Sequence, residues 1–242
     1  MSNSMFRFRE FVVHQDSCVM KVSTDACLLG AFSAFYLRNQ GTGDCQHILD
    51  IGTGTGLLAL MLAQKCDACI DGVELDEGAW KQAGQNFRDS PWKDCLHALH
   101  GDIRTMTFLK KYDVIITNPP FYEFGLKSRD SRVNMAKHSG GLDLQSLIAS
   151  ISRNLSNAGI CIILLPPVSF QRFVRMAEGE GFYLTHKMEI YPSQDKPVNR
   201  CIGIFSRISG KMIQEELQIL QKGGGYSTSF IALLKDYYLD ND

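Results

Sequence analysis

The feature that most restricts the fold is a regular alternation of two hydrophobic patterns after residue 46. Short apolar runs suited to buried strands occur at about 47–51, 69–75, 96–100, 112–117 and 159–165. Amphipathic helical patterns occupy intervening stretches at about 55–66, 77–89 and 143–157. Strands that alternate with helices in this way are typical of a parallel sheet covered by helices on both faces. The sequence therefore predicts an α/β fold with a doubly wound, mostly parallel sheet.

The flanking segments extend this pattern. Residues 6–22 mix aromatic and β-branched residues with polar ones and predict two short strands, after which Ser23 or Thr24 is expected to cap a helix that runs to about Asn39. Later elements are expected as a helix at about 169–180, strands at about 182–191 and 200–207, and a short helix near 228–239. We predict one structural domain overall, in which residues 1–45 form a strand-and-helix extension packed on a core of residues 46–242.

Length and composition are those of an ordinary folded domain. The 242 residues suffice for one sizeable α/β domain. With 45% of residues apolar and 21% charged, a largely disordered chain is excluded. The net charge of -1 argues against a protein that coats nucleic acid through bulk electrostatics, although a local basic patch is compatible with it.

Cysteine usage and hydropathy predict a cytoplasmic protein. The eight cysteines lack the spacing of a disulfide framework, and most lie in apolar runs, as reduced thiols do. Cys66 and Cys69 form a Cys-x-x-Cys pair without a second pair, so we expect no metal site. The N-terminus lacks the apolar core of a signal peptide, and no run approaches the ~20 apolar residues of a membrane span. We expect no membrane segment and, by default, a monomer.

The stretch ILDIGTGTGLLALMLA predicts a strand, a turn and a helix. Gly52, Gly54 and Gly56 allow the backbone to turn sharply and to approach a ligand closely. Dinucleotides and S-adenosylmethionine both suit such a turn. Asp50 favours S-adenosylmethionine, because a carboxylate at the strand end repels a pyrophosphate and attracts an amino group and a sulfonium. The spacing Gly-x-Gly-x-Gly also departs from the dinucleotide pattern Gly-x-Gly-x-x-Gly.

Acidic residues follow the next two strands. Glu74 is placed to accept hydrogen bonds from both hydroxyls of a ribose, and Asp102 from an adenine amino group. Each acid taken alone is equally well explained as a cap of the following helix. Together with Asp50 they follow three successive strands, whose carboxyl ends share one edge of the sheet, so we predict a single cofactor cleft. The neighbouring Leu75 and Ile103 are included among the expected cofactor contacts.

The fourth strand ends in Asn118-Pro119-Pro120-Phe121, which suits neither a strand nor a helix. The Asn118 amide should project into the cleft beside the cofactor, and the prolines stiffen the turn so that the Pro119 carbonyl points there too. Two converging oxygens accept both N–H bonds of an exocyclic amine and localise its lone pair for attack without a strong base. Phe121 offers a stacking face for the base, typically worth about 1–3 kcal/mol. These four residues are the predicted catalytic motif; the alternative is a stiff turn after a core strand.

The segments LDIGTGTG, VELD, GDI and TNPPF, in this order, resemble the class I S-adenosylmethionine-dependent methyltransferases of the amino-methylating branch. The resemblance implies a Rossmann-like fold and S-adenosyl-L-methionine as the cofactor. It also implies methyl transfer to adenine N6, guanine N2 or glutamine N5, among which the motif alone does not choose.

The flanks are similar to one family in particular, the bacterial tRNA1(Val) adenine-37 N6-methyltransferases. Residues 6–32 resemble its N-terminal motif, with Lys21, Thr24, Asp25 and the Leu-Leu-Gly at 28–30 in register. Further matches are SPW at 90–92, AKH at 136–138, RCIGIFS at 200–206 and YSTSFIALLKDYYL at 226–239, so the resemblance covers nearly the whole chain. Ser23 and Ala26 stand where the family usually has Gly, and Phe32 where it has Trp, which are small changes near the cofactor lid.

The resemblance implies an enzyme that methylates N6 of adenosine 37, in the anticodon loop of a valine tRNA. The residues that would hold the cofactor are Asp50, Gly52, Gly54, Gly56, Glu74, Leu75, Asp102, Ile103 and Asn118. Lys21, Thr24 and Asp25 would close over its methionine end.

A basic cluster after the catalytic motif is the predicted RNA contact. Its members are Lys127, Arg129, Arg132, Lys137 and His138, with Asp130 as the single acid among them. Arg7 and Arg9, which alternate with phenylalanines, are a second expected phosphate contact. Chemistry on a base requires an unstacked base, and an anticodon-loop purine costs less to extrude than one in a duplex. For any single residue, an ordinary solvated surface cation is an equally good interpretation.

Three alternatives stay open at this point. The first is another amine-directed methyltransferase that acts on guanine N2 of ribosomal RNA or on a protein glutamine. The second is an NAD-linked oxidoreductase on the same sheet topology, against which Asp50 and the Asn-Pro-Pro-Phe turn argue. The third is a non-catalytic RNA-binding module, which an intact cofactor loop disfavours.

Overall fold

A computed structural model describes residues 4–18, 20–39, 46–119 and 142–239. The strands in these ranges are β1 Met5–Arg7, β2 Val12–His14, β3 His47–Ile51, β4 Cys69–Glu74, β5 Leu96–His100, β6 Tyr112–Thr117, β7 Leu155–Leu165, β8 Tyr183–Ser193, β9 Arg200–Ser206 and β10 Ile213–Leu220. The helices are α1 Thr24–Asn39, α2 Leu57–Ala63, α3 Glu77–Arg88, α4 Leu144–Asn154, α5 Pro167–Gly179 and α6 Thr228–Leu234.

The central sheet has eight strands in the order β10-β8-β9-β7-β6-β3-β4-β5. Strands β3 to β7 run parallel, and β9 is antiparallel to both of its neighbours, β7 and β8. Apart from β9 and β10, this is the doubly wound order 3-2-1-4-5-6, with β3 as its first strand. The predicted doubly wound, mostly parallel sheet is confirmed. The order reverses between β3 and β6, and doubly wound sheets bind ligands at the carboxyl ends of the strands at such a point.

Each face of the sheet is covered by its own hydrophobic core. Alternate residues of a strand point to opposite faces, so Ile48 and Leu49 belong to different cores. The core on the Ile48 face contains buried side chains from α1, α2, α3 and α6. The core on the Leu49 face contains those of α4 and α5. Helices on both faces leave only the strand ends free to carry a site.

The N-terminal segment is held at both of its ends. Strands β1 and β2 form an antiparallel pair, and the Arg9 amide donates to the Tyr237 carbonyl at 2.9 Å. At the start of α1, the Ser23 hydroxyl accepts from the Ala26 amide at 3.3 Å, so Ser23, rather than Thr24, is the cap. The division at residue 45 into an extension and a core stays a prediction.

Several boundaries and one strand differ from the sequence-based expectations; for example, the strand predicted from about 159 begins at Leu155. The predicted helix at 143–157 ends at Asn154, because Leu155 is extended and begins β7. The helix predicted near 228–239 ends at Leu234. Strand β10 was not predicted; it lies at the sheet edge with most side chains exposed and only Leu217 buried, and Glu215 and Leu220 interrupt its hydrophobic alternation. Among the described helices, none is both long and apolar enough to cross a bilayer.

A buried polar contact joins two strands at the amino end of the sheet. Tyr112 of β6 has no exposed surface, and its hydroxyl donates to Asp71 Oδ2 of β4 at 2.7 Å. Burial raises the pKa of the Tyr112 phenol. The same Asp71 oxygen lies 2.9 Å from Lys110 Nζ. The phenol and the ammonium together compensate a carboxylate that is almost entirely removed from water.

We predict that Tyr112→Phe lowers the free energy of unfolding by about 1–3 kcal/mol, because it leaves a buried carboxylate short of a donor. Urea denaturation at neutral pH measures the change. The matched control is Tyr183→Phe, which alters a phenol that is 48% exposed and should change stability by less than about 0.5 kcal/mol. Equal effects of the two substitutions would contradict the role of the Asp71 contact.

Candidate active site

The site is built around the turn that leaves β3. Gly52, Gly54 and Gly56 all adopt positive φ angles, of 72°, 57° and 83°. A side chain is strained in this region of backbone conformation, so the turn requires glycine at these positions. The amides of Gly52 and Thr53 both donate to the Val73 carbonyl, at 2.9 and 3.0 Å, and so fasten the turn to the end of β4.

The three glycines do not have the same surroundings. A Cβ atom on Gly52 would meet no atom within 4 Å, and one on Gly54 would meet only Cys18 Sγ at 3.9 Å. One on Gly56 would lie 2.4 Å from Phe87 Cε1. The first two glycines therefore face open space, in which a ligand can approach the backbone, whereas Gly56 allows α2 to pack closely on α3.

Glu74 ends β4 and closes the turn from the other side. Its Oε2 accepts from the Gly54 amide, and its Oε1 accepts from the Asp76 amide, both at 2.9 Å. The carboxylate thus supplies the negative charge that the backbone amides of such a turn attract. Leu75, the next residue, is 58% exposed, and its carbonyl lies 3.1 Å from His100 Nε2. An exposed leucine beside this carboxylate offers an apolar surface to a flat ligand.

Asp50 lies behind the turn with no exposed surface. Its Oδ2 accepts from the Thr53 hydroxyl at 2.6 Å, and the backbone N–H of Ala59, in the first turn of α2, also stabilises the carboxylate. Burial raises the pKa of Asp50 to about 7; the Glu74 charge adds to the increase, and the Thr53 bond opposes it. The carboxylate lies behind the turn, where its charge can act on a bound ligand.

Asp102 follows β5 and is already bound within the protein. Arg104 donates through Nε to both carboxylate oxygens at 2.9 Å and through Nη2 to Oδ2 at 2.6 Å. These hydrogen bonds hold the pKa of Asp102 below its usual value. Ile103 is buried, and its carbonyl accepts from Arg153 Nη2 at 2.7 Å. The expected adenine contact at Asp102 thus has to share its acceptors with Arg104, which the sequence interpretation missed.

Asn118 stands at the carboxyl end of β6, beside the β3 turn. The preceding Thr117 is fully buried, and its hydroxyl donates across the strands to the Ile51 carbonyl at 2.9 Å. Asn118 Oδ1 is inaccessible to solvent and has no hydrogen-bond partner among the described residues. Pro119 is buried directly after it, whereas Pro120 and Phe121 lie outside the described residues. The structure thus provides an unfilled amide acceptor at the predicted position.

Of the N-terminal site residues, Asp25 is bonded to the same edge of the sheet. Lys21 and Thr24 are exposed. Asp25 accepts from Arg200 Nε at 2.8 Å, and Arg200 begins β9, whose antiparallel direction places its first residue at the carboxyl edge. Sequence reasoning did not single out Arg200 as a site residue. One arginine at a strand start carries no signal of its own.

Most of the predicted RNA contacts lie outside the described residues, namely Lys127, Arg129, Arg132, Lys137 and His138. Arg7 and Arg9 are both exposed. Arg9 Nε also donates to the Lys235 carbonyl at 2.9 Å, so part of its guanidinium fastens the C-terminal segment. Within the described ranges, no group of three or more His, Cys, Asp or Glu residues could hold a metal ion.

Comparison with known proteins identifies the class to which this fold and site belong. The crystal structure of a predicted O-methyltransferase from Agrobacterium tumefaciens matches with a TM-score of 0.67 at 16% identity, over 88% of this chain and 96% of that one. The family model described as Methyltransferase small domain matches residues 31–140. The protein is a methyltransferase with the class I, Rossmann-like α/β fold.

Two relatives define the family within this class. One from Dyadobacter fermentans is 40% identical over 98% of this chain and 98% of its own length. One from Tolumonas auensis is 36% identical over 99% of this chain and 98% of its own length. Both are named tRNA1(Val) (adenine(37)-N6)-methyltransferase. The chain belongs to the tRNA1(Val) (adenine(37)-N6)-methyltransferase family, and the resemblance seen in its sequence motifs is confirmed.

The buried Asp50 makes stability depend on pH. Its pKa of about 7 in the folded protein exceeds the 3.8 of an ordinary aspartate, so between these values the folded state binds more protons than the unfolded state. Its contribution to the free energy of unfolding therefore falls as pH rises through this window, by at most about 1.4 kcal/mol per pH unit. We predict that Asp50→Asn removes this slope, as chemical denaturation between about pH 5 and pH 7 should show.

The control for this prediction is Asp195→Asn, which changes an exposed aspartate and should leave the slope unaltered. Identical slopes in wild type and Asp50→Asn would show that Asp50 is ionised throughout this pH range.

Proposed function

We propose that this protein transfers a methyl group from S-adenosylmethionine to N6 of adenosine 37 in the anticodon loop of tRNA1(Val). The observation that carries the proposal is the unsatisfied buried amide oxygen of Asn118 at the switch point of the sheet. A buried acceptor without a donor costs free energy of about 1–3 kcal/mol, and an exocyclic amine can supply that donor. The name shared by the relatives supports the choice of nucleotide and tRNA.

The residues at this switch point fit S-adenosylmethionine. Gly52 and Gly54 face open space beside the Glu74 carboxylate, which suits hydroxyl donors such as those of a ribose. The negative charge of the buried Asp50 behind this turn favours a cation and disfavours a pyrophosphate. When bound, this cofactor supplies an electrophilic methyl group. The NAD-linked alternative is therefore disfavoured by the charge of the turn itself.

The protein contributes to methyl transfer by orienting the two reactants and by accepting hydrogen bonds from the amine. Asn118 Oδ1 accepts one N–H of the adenine amine, and the Pro119 carbonyl is proposed to accept the other. These bonds orient the nitrogen lone pair toward the methyl group, and orientation of two bound reactants supplies much of the acceleration. Asp50 does not serve as a base toward the amine, because it lies buried behind the turn. Transfer would break the methyl–sulfur bond, with its electron pair remaining on sulfur, as the nitrogen–carbon bond forms, and the nitrogen would then lose one proton to water.

The alternatives differ in the acceptor rather than in the cofactor. Guanine N2 and glutamine N5 present similar amide or amine protons to an acceptor such as Asn118. The two relatives cover nearly the full length of this chain and carry the tRNA name, which favours the adenine of a tRNA. A non-catalytic RNA-binding module would have no use for the open glycine turn and the unfilled Asn118 acceptor.

Asn118→Ala tests the catalytic proposal. We expect the rate of methyl transfer to tRNA to fall by about 10²–10³, the usual cost of removing one such polar group. The substrate is total tRNA from a strain that lacks this protein, with labelled S-adenosylmethionine and nucleoside mapping. Wild type should place N6-methyladenosine beside the valine anticodon.

The matched control for this experiment is Asn39→Ala, an asparagine at the end of α1 whose amide donates to the Phe35 carbonyl within its own helix. It should retain wild-type activity. Label in ribosomal RNA or in protein instead of tRNA would overturn the substrate assignment. Full activity of Asn118→Ala would overturn the catalytic one.

Glu74→Gln tests the cofactor site. The substitution keeps the side-chain shape but removes the charge and one of the two carboxylate acceptors, so the dissociation constant for S-adenosylmethionine should rise about tenfold, as for the loss of about 1.4 kcal/mol. Isothermal titration calorimetry measures it. Glu77→Gln, three residues along, alters a side chain paired on the surface with Lys81 and should bind like wild type. Unchanged affinity in Glu74→Gln would refute this placement of the ribose.

The remaining expectations stay predictions under this proposal. A tRNA substrate is consistent with the expected cytoplasmic location. The expected monomer is tested by light scattering, and the expected independence of metal ions by activity in the presence of a chelator.

A further inference from the structure

The segment of residues 12–18, here called the cover segment, lies against the glycine turn. Cys18 Sγ is 3.9 Å from the position of a Cβ on Gly54. The Ser17 carbonyl lies 3.1 Å from the corresponding position on Gly78, near the start of α3. Burial, and with it the charges of Glu74 and Asp76, raises the pKa of the Cys18 thiol. The cover segment therefore forms part of the wall around the Glu74 carboxylate, at the proposed cofactor site.

One side chain of α3 joins the cover segment to the turn. Asn86 has no exposed surface. Its Oδ1 accepts from the His14 amide at 3.0 Å, and its Nδ2 donates to the His14 carbonyl at 2.9 Å. The second N–H of the same Nδ2 donates to the Thr55 carbonyl, within the glycine turn, at 2.8 Å. The Asn86 amide thus makes the two backbone hydrogen bonds to His14 that a neighbouring strand would make, and it also bonds the glycine turn.

Neighbouring contacts support the same attachment. Gln82, one turn earlier on α3, accepts from the Ser17 amide at 3.3 Å. Gln15 is 4% exposed, and its Oε1 accepts from the Val22 amide at 2.8 Å, which closes the loop that leads to Lys21 and α1. The position of the cover segment is therefore linked through α3 to the turn, and through Gln15 to the start of the helix that carries Thr24 and Asp25.

We infer that Asn86 is a positioning residue that couples the cover segment to the glycine turn, so that the two walls of the cofactor site form as one unit. No other common side chain of this size has one acceptor and two donors in a planar group. Removing it leaves the polar groups of His14 and Thr55 buried without these partners. The inference rests on the proposed cofactor site. Without Asn86, the two walls of that site have to become ordered when the cofactor binds, which weakens binding.

The test compares Asn86→Ala and Asn86→Asp with wild type in initial-rate kinetics at saturating tRNA. Each variant should raise the KM for S-adenosylmethionine at least about tenfold and leave kcat within about twofold, because Asn118 stands on a different strand and the turn can still order at high cofactor concentration. Asn86→Asp keeps the shape and the acceptor but lacks both donors, so its KM should rise as in Asn86→Ala.

The control is Asn154→Ala, a buried asparagine whose amide donates within its own helix to the Ser150 carbonyl, far along the chain from the cover segment. It should lower thermal stability without changing the KM for the cofactor. A merely structural role of Asn86 would reduce the fraction of active enzyme, which lowers apparent kcat at unchanged KM, and that outcome would overturn the inference.

Hydrogen exchange supplies a measurement that does not require turnover. The His14 amide should exchange faster in Asn86→Ala than in wild type while amides of the β7 core keep their protection. Uniform loss of protection would indicate general destabilisation and overturn the coupling. If wild type methylates no tRNA, the proposed function fails, and calorimetric titration of the variants with S-adenosylmethionine still decides the coupling.

Discussion

The arrangement of the site depends on the parallel register of β3 between β4 and β6. In this register the ends of the three strands lie side by side, and the Thr117 hydroxyl bonds the Ile51 carbonyl just before the glycine turn. The amides of Gly52 and Thr53, in the glycine turn, donate to the Val73 carbonyl at the end of β4. One rigid edge therefore carries a cofactor turn, a carboxylate and an amide acceptor from segments far apart in sequence, which is how doubly wound sheets form ligand sites.

The acidic residues at this edge of the sheet differ in how their charges are compensated. Asp102 is compensated by Arg104, and Asp25 by Arg200, so both carboxylates are paired within the protein. Among the described residues Asp50 has no ion pair. Its burial raises its pKa to about 7, and the nearby charge of Glu74 adds to the increase. A cationic ligand relieves the repulsion between these two charges, whereas an anion increases it. The same electrostatic imbalance that costs the protein stability at neutral pH therefore favours a sulfonium cofactor over a dinucleotide.

Much of the fold was predictable because its central strands are buried on both faces. Such strands appear in sequence as short apolar runs, and the bounds of β3, β5 and β6 agree with the predicted ones. The edge strand β10 was missed because its pairing with β8 is made by the backbone while its side chains face solvent. Asn154 and Leu155 show the same limit, since the mostly polar residues 152–157 show no change of hydrophobic pattern where the helix ends and β7 begins.

The sequence by itself determined the order of the site residues, because glycines, acids and the Asn-Pro-Pro turn each follow a recognisable strand. Only the tertiary structure decided which polar side chains bond these residues and the backbone beside them. Arg104 on Asp102, Arg200 on Asp25 and Asn86 between His14 and Thr55 are single polar residues without a motif. Hydrogen bonds of about 3 Å require a particular placement of two segments, and that placement results from packing and register, which local sequence patterns do not encode.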